Sequence, residues 1–203
     1  LLPEIPEYAG IERPMVEVLK KGHIQLLLAR LIARWQFQRY VRKNHPKDGS
    51  SLFGYIGKYV TPILPSLYRY GTYDLAISFL TPHNIVLEKV QAKKKICWIH
   101  TDYTNIDVNA TLELPVWAGY DYIASISEEA GKGFCQVFPS LQSKLIEIEN
   151  ILSPAFIRKR AQEGGLPQDM PTSPQEITLL TIGRYCYAKK MEEIPILCRL
   201  LQE

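Results

Sequence analysis

Short apolar runs alternate with amphipathic stretches along the chain from Tyr73 onward. The apolar runs predict strands at 74–79, 96–99, 122–126 and 145–148. The stretches with helical spacing that follow them predict helices at 84–91, 108–118, 128–138 and 155–162. This alternation is typical of βα units that build a parallel sheet with helices on both faces. The pattern therefore predicts an α/β fold.

The segment before this alternation predicts helices. Residues 15–42 carry apolar side chains at helical spacing, which indicates a long surface helix or a pair of helices. Its apolar positions are expected to share one broad face; they are Leu19, Leu26, Leu27, Leu31, Ile32 and Trp35. A cluster of turn-forming residues at 44–50 ends this helical pattern.

A linker is predicted at 164–175, which contains a Gly-Gly pair and three prolines and shows almost no apolar periodicity. A new strand is predicted at 177–182, followed by Gly183 and Arg184 and by a helix from about 190 to 201. The sequence thus predicts a first domain at 1–163 and the start of a second α/β domain at 176–203.

Composition agrees with a folded globular chain, since 46% of the 203 residues are hydrophobic and 22% are charged. The net charge of +3 is too small to imply a nucleic-acid partner. Positive charge is nevertheless concentrated at 30–47 and 89–95, which makes these segments candidates for contact with anionic lipid. The run at 89–95 is explained most simply as a solvated helix end.

Location and chain ends are expectations from the same sequence. No apolar run reaches the length of a membrane span, and no secretory signal is recognisable. The four cysteines are widely spaced and are expected to be reduced thiols. These features predict a cytoplasmic protein, with peripheral contact at the inner face of the cell membrane as an open alternative. Because the chain starts at Leu1 and ends in an amphipathic pattern, we expect both ends to be cut from a longer chain.

Five short motifs occur in an informative order. They are Asp74-Leu-Ala-Ile-Ser78, Lys95-Ile-Cys-Trp-Ile-His100-Thr-Asp102, Asp121-Tyr-Ile-Ala-Ser-Ile-Ser127, Ile148-Glu-Asn150, and Leu180-Thr-Ile-Gly183-Arg184 followed by Lys189. In this order they resemble family 4 glycosyltransferases of bacterial surface-polysaccharide pathways. The resemblance covers residues 74–203, and each motif by itself is weak.

The resemblance implies the GT-B fold, in which two Rossmann-like domains face each other across a cleft. It implies a retaining enzyme that moves a sugar from a nucleotide-sugar donor to a saccharide or lipid-linked acceptor, without a metal or another cofactor. Two features of the family are absent from this sequence: the Gly-rich loop after the first strand, and a pair of donor-site glutamates spaced eight apart. The chain by itself is therefore expected to be inactive.

His100 is the candidate catalytic residue. It ends a predicted strand, and ligands of open parallel sheets bind beyond the carboxyl ends of the strands. By resemblance it lies near the transferred sugar, whereas a structural loop histidine is the alternative. Asp102 and Ser127 are the candidates for acceptor binding. Asp102 could instead cap a helix or orient His100, and capping of the helix at 128–138 is the favoured role of Ser127.

Arg184 and Lys189 are by resemblance the cations that bind the donor diphosphate. A departing nucleoside diphosphate develops negative charge, which a metal-free enzyme neutralises with Arg, Lys and helix N-termini. A solvated charged turn is the alternative, and Lys190 leaves the register of Lys189 open. No metal site is predicted.

Two other functional classes stay open. A GT-B sugar-nucleotide epimerase shares the sheet and the diphosphate site, and a nonenzymatic α/β binding domain would lack the donor-site glutamates. A dinucleotide-dependent enzyme is disfavoured, because no Gly-x-Gly-x-x-Gly motif follows any predicted strand.

Overall fold

A computed structural model of the chain describes residues 8, 10–11, 13–164, 180–185 and 189–201. The chain divides into two compact units, residues 1–150 and 151–203. This division falls before the helix Pro154–Gly164, which the sequence analysis places in the first domain. Apart from Gly164, the predicted linker at 164–175 lies outside the described residues.

The first unit contains a four-stranded parallel sheet in the order β1-β2-β3-β4. The strands are β1 (Thr72–Ser78), β2 (Gln91–Ile99), β3 (Tyr122–Ser125) and β4 (Leu145–Glu147). All three pairings are parallel. The prediction of an α/β fold with a parallel sheet is confirmed, and the sheet with its helices is Rossmann-like.

The start of β2 differs from the prediction, which places it at residue 96. The strand begins five residues earlier and takes in three lysines that precede the apolar run. Lys93 forms an ion pair with Asp74 at 2.6 Å, and Lys94 forms one with Asp121 at 2.8 Å. Because these side chains reach solvent and neighbouring carboxylates, the lysine segment pairs along β1 without burying a charge.

Three helices connect consecutive strands: α4 (Asn84–Lys89), α5 (Ala110–Ala118) and α6 (Glu128–Val137). The main core lies between them and one face of the sheet; its fully buried members include Cys97, Ile99, Ile123, Trp117, Phe134 and Phe138. Phe134 and Trp117 meet edge-on, with their ring centroids 4.9 Å apart. Burial of these aromatic side chains is the main source of stability in this layer.

The prediction of helices on both faces of the sheet is wrong for the described residues. Each strand follows its neighbour in sequence order, so right-handed crossovers place all three connecting helices on the same face. On the opposite face the side chains of Leu75, Ile77 and Phe79 are 47%, 47% and 52% exposed.

A second cluster is formed by the helices that precede the sheet. They are α1 (Met15–Lys20), α2 (Ile24–Asn44) and α3 (Ser51–Val60). Val18, Leu26 and Val60 are buried between them, and Ile85 of α4 joins the same cluster. The alternative of two helices within 15–42 is thus the correct one. The chain turns between them at Gly22, whose φ of +74° favours glycine.

The prediction of one broad apolar face on α2 is wrong. Leu26 is buried together with Ala29 and Ala33, whereas Leu31 and Trp35 are 46% and 56% exposed. Residues three, four and seven positions apart share a helix face, so the buried set and the exposed set lie on opposite sides of α2. The helix is therefore apolar on two sides.

The second unit contains α7 (Pro154–Gly164), a 3₁₀ turn at Met191–Glu193 and α8 (Ile194–Leu200). The helix predicted at 190–201 is therefore present in shorter form. Residues 180–182 of the strand predicted at 177–182 have no strand structure, and residues 177–179 lie outside the described part. A single strand needs a neighbour to pair its backbone groups, and the described residues of this unit supply none.

No helix within the described residues is both long enough and apolar enough to cross a lipid bilayer.

Candidate functional site

A cavity of about 180 Å³ opens at the carboxyl ends of β1 and β2. Its walls come from the loops that follow these two strands and from α3 and α5. Five aromatic side chains line it: Phe53, Phe79, Trp98, Tyr103 and Trp117. A cavity of about 150 Å³ is known to admit benzene, so this one has room for about one six-membered ring. Its place matches the edge where open parallel sheets bind their ligands.

His100 lies in this cavity, as its position at the end of a predicted strand suggested. Its ring centroid is 4.2 Å from that of Phe79, and its plane lies within 7° of the plane of Trp98. The Nε2 atom of His100 and the Nε1 atom of Trp98 are both buried without a hydrogen-bond partner among the described residues. Buried polar atoms are nearly always hydrogen-bonded, so two of them in one cavity indicate a place for a polar ligand group or water.

Burial lowers the pKa of His100, and a backbone hydrogen bond with Phe79 acts in the opposite direction. The histidine is therefore neutral at pH 7. In the tautomer that carries its hydrogen on Nδ1, the Nε2 atom keeps its lone pair and can accept a hydrogen bond from a ligand hydroxyl.

His83 is a second histidine in the cavity, and no sequence motif indicated it. It is 5% exposed, and its Nδ1 lies 2.8 Å from the hydroxyl oxygen of Ser78. Burial is the largest cause that lowers the pKa of His83 to about 4, and nearby His100 adds to the shift. His83 follows β1 by five residues, so the strand-end rule that selected His100 also leads to this loop.

Glu113 of α5 places a carboxylate in the same cavity, and no sequence motif indicated it. Its Oε2 atom accepts a hydrogen bond from Trp117 Nε1 at 3.3 Å and lies 3.5 Å from the Tyr103 hydroxyl. Burial raises the pKa of Glu113 to about 7, although both of these donors act to lower it. Near neutral pH the cavity therefore contains a carboxyl group that can hold or release a proton.

Glu113→Gln should change the pH dependence of stability. Glu113 has a raised pKa in the folded state, so its titration destabilises the fold as pH rises from about 4.5 to 7. His83 has a lowered pKa, so its titration destabilises the fold as pH falls from about 6.5 to 4. The two trends oppose each other in the wild type. In Glu113→Gln the titration of Glu113 is removed and that of His83 remains. We therefore expect the free energy of unfolding of this variant to fall by on the order of 2 kcal/mol between pH 7 and pH 4.

Urea unfolding of the wild type and of Glu113→Gln at intervals between pH 7 and pH 4 measures this difference. Glu88→Gln is the matched control, because the side chain of Glu88 is exposed and lies outside the cavity lining. If the free energy of unfolding depends on pH in the same way in the wild type and in Glu113→Gln, the expected titration of Glu113 is wrong.

Asp102 is not among the residues that line the cavity. Its Oδ1 atom accepts hydrogen bonds from the backbone N–H of Thr104 at 2.9 Å and from the Thr104 hydroxyl at 2.7 Å. Its Oδ2 atom accepts one from Asn105 Nδ2 at 2.8 Å. The carboxylate thus organises the loop after β2. Within the described part of the chain its hydrogen bonds go neither to a helix N-terminus nor to His100, and its contact with an acceptor stays a prediction. A Cβ atom at Gly133 would lie 2.6 Å from Oδ1, so glycine is needed where α6 passes this loop.

Ser127 caps α6, which confirms its favoured role. Its hydroxyl oxygen accepts a hydrogen bond from the backbone N–H of Ala130 at 3.2 Å. Glu128 and Glu129 follow in the first turn, where negative charge is favourable. Ser127 is also outside the cavity lining, and its contact with an acceptor stays a prediction.

Arg184 and Lys189 lie in the second unit and are both exposed. Neither forms an ion pair with a residue that the structure describes, whereas Lys190 lies 3.3 Å from Glu193. Their guanidinium and ammonium groups are thus free to bind an anion as far as the described residues are concerned. Their role at a donor diphosphate stays a prediction.

Groups of three or more His, Cys, Asp or Glu side chains that could hold a metal ion do not occur in the described part of the chain.

Comparison with known proteins gives no relative: no family model, no curated protein and no solved structure matches this chain.

Proposed function

We propose that this chain belongs to a retaining glycosyltransferase that takes a sugar from a nucleotide-sugar donor and transfers it to a saccharide or lipid-linked acceptor in surface-polysaccharide synthesis. The observation that carries the proposal is the buried Nε2 atom of His100, which has no hydrogen-bond partner in the described part of the chain and lies in a ring-sized aromatic cavity at the carboxyl ends of β1 and β2. The ordered motifs of the sequence support the same reaction.

The chemistry of the cavity suits a sugar ring. Phe79 and Trp98 offer flat apolar surfaces against which the C–H face of a pyranose can pack. His100 Nε2 can accept a hydrogen bond from a ring hydroxyl, and the indole N–H of Trp98 can donate one. A mostly apolar site with a few placed polar groups is the usual composition of a small-molecule pocket.

In the proposed reaction the bond between the anomeric carbon and the diphosphate oxygen breaks, and a bond to an acceptor hydroxyl forms on the same face of the sugar. The acceptor hydroxyl loses its proton during transfer. The leaving diphosphate gains negative charge, which Arg184 and Lys189 would neutralise. His100 would hold a hydroxyl of the transferred sugar as charge develops at the anomeric carbon, and a hydrogen bond that strengthens in the transition state accelerates the reaction.

The test is to incubate the full-length protein with a panel of nucleotide-sugars, with and without saccharide acceptors. Release of nucleoside diphosphate that depends on the acceptor, together with a product heavier by one sugar, is the expected result. Conversion of the donor into another nucleotide-sugar without transfer would identify an epimerase instead. Binding without any change of the donor would identify a nonenzymatic domain.

A further inference from the structure

The exposed side of α2 carries a continuous apolar stripe on the face opposite the core. Ile24, Leu28, Leu31, Ile32 and Trp35 recur at the spacing of one helix face and are 45% to 58% exposed. The stripe covers about three turns, or roughly 16 Å of helix. Exposed apolar patches of this kind mark contact sites, because water contact with so many large side chains in one place is unfavourable.

The same periodicity continues into basic residues. Arg39 and Arg42 follow the stripe on the same face, and Lys43 stands beside them at the end of α2. The Arg39 guanidinium lies 4.9 Å from the centre of the Trp35 ring. None of these three cations forms an ion pair with a residue that the structure describes. Apolar side chains and uncompensated positive charge are thus presented together.

A shallow groove beside the stripe is lined by these three cations, Tyr40 and Asn109, among others. Guanidinium, ammonium and amide N–H groups are all donors to phosphate oxygens, so the groove offers a place for an anionic head group.

The charge of residues 15–47 as a whole also favours an anionic partner. Residues 15–47 contain eight Lys and Arg and one acid, Glu17, although the net charge of the chain is only +3. An attractive partner for this segment is therefore anionic as well as apolar. A bilayer that contains acidic phospholipids has both properties, and a Trp at the boundary between apolar and basic residues is typical of a helix lying in the membrane interface.

We propose that α2 is a membrane-docking helix, which lies on an anionic bilayer with Leu28, Ile32 and Trp35 in the acyl boundary and with Arg39, Arg42 and Lys43 at lipid phosphates. This surface shares no residue with the cavity at the ends of β1 and β2. The docking is therefore independent of the reaction proposed for that cavity.

Cosedimentation with large unilamellar vesicles tests the docking helix. One vesicle type is phosphatidylcholine alone, and the other contains phosphatidylglycerol in roughly equal parts with it. The protein should bind the anionic vesicles, release from them as salt rises, and bind the neutral vesicles at least about tenfold more weakly.

Two double variants test the basic part and the apolar part of the surface separately. Arg39→Glu with Arg42→Glu, and Leu28→Asp with Ile32→Asp, should each lower partitioning into anionic vesicles by at least about tenfold. All four positions are exposed, so circular dichroism and the melting temperature should match the wild type. The matched control is Arg158→Glu with Lys159→Glu on α7, which makes the same charge change on exposed residues elsewhere and should leave vesicle binding unchanged.

The proposal is wrong if the wild type does not bind the anionic vesicles. It is also wrong if all variants bind them as well as the wild type does. Sedimentation velocity adds a separate outcome. If the wild type is a dimer that Leu28→Asp with Ile32→Asp converts to a monomer, and the vesicles do not bind, then the stripe is an interface between two copies and membrane docking is wrong.

Discussion

His100→Ala should lower the turnover of the proposed glycosyl transfer by about a hundredfold and leave the affinity for nucleoside diphosphate unchanged. The buried Nε2 atom of His100 has no partner among the described residues, and in the proposed function it accepts a hydrogen bond from a sugar hydroxyl. Loss of one hydrogen bond that strengthens in the transition state costs roughly two orders of magnitude in rate. Diphosphate binding depends on other residues and should not respond. Steady-state kinetics with a calorimetric titration of nucleoside diphosphate measure both effects.

His23→Ala is the matched control for this experiment, since His23 is exposed and lies outside the cavity. It should keep the turnover of the wild type. His100→Gln should recover part of the lost rate, because its amide oxygen can accept the same hydrogen bond. If His100→Ala turns over at the wild-type rate, or if it loses diphosphate affinity and turnover together, the proposed role of His100 at the sugar is wrong.

Arg184→Ala and Lys189→Ala should each weaken the binding of nucleoside diphosphate by about tenfold to a hundredfold. A charge-assisted hydrogen bond contributes roughly 1.5 to 3 kcal/mol, which corresponds to that loss of affinity. Arg184 can donate two parallel hydrogen bonds to phosphate oxygens, whereas Lys189 acts as a point charge. The measurement is calorimetric titration of the full-length protein with nucleoside diphosphates in the presence of a chelator.

Lys190→Ala is the control for this pair. The Nζ atom of Lys190 lies 3.3 Å from Oε1 of Glu193. Because this ammonium group is already paired, replacement of Lys190 should leave diphosphate affinity unchanged. If Lys190→Ala loses affinity and Lys189→Ala does not, Lys190 is the lysine that binds the diphosphate. Unchanged affinity in Arg184→Ala and Lys189→Ala, or a requirement for a divalent metal, would refute the proposed diphosphate site.

The strands of the sheet were predictable because each has a short apolar run with a clear end. Tyr122–Ser125 and Leu145–Glu147 lie within the predicted ranges. The early start of β2 was not predictable, since Lys93 and Lys94 are unfavourable in an isolated strand pattern. The backbone pairing of this segment with β1 makes it a strand, and the ion pairs to Asp74 and Asp121 accommodate its lysines; neither is visible in the local sequence pattern.

Which faces are covered could not be predicted either. Periodicity indicates that α2 has apolar positions, but the choice between Leu26 and Trp35 as the buried side depends on how α2 packs against α3. Helices on both faces of the sheet are usual for parallel sheets, but strand order decides the matter. Here the sequential order β1-β2-β3-β4 sends every connecting helix to the same face.

The candidate site was predictable only where a residue directly ends a strand. His100 does so, and it lies in the cavity. His83 is fixed by its contact with Ser78, and Glu113 reaches the cavity from a helix by its contacts with Trp117 and Tyr103. Contacts of this kind depend on tertiary packing, which a single sequence does not reveal. Asp102 of the same loop was also predicted; its carboxylate accepts hydrogen bonds from Thr104 and Asn105, and its contact with an acceptor stays a prediction.

Proton NMR of the reaction of the full-length protein with its nucleotide-sugar donor, a saccharide acceptor and a chelator tests glycosyl transfer most directly. The anomeric signal of the product and the released nucleoside diphosphate are followed in the same sample. We expect one nucleoside diphosphate for each glycosidic bond formed, and an anomeric configuration in the product equal to that of the donor. A product of inverted configuration, a donor whose sugar is altered while it stays on the nucleotide, or no reaction with any donor of the panel would contradict the proposed function.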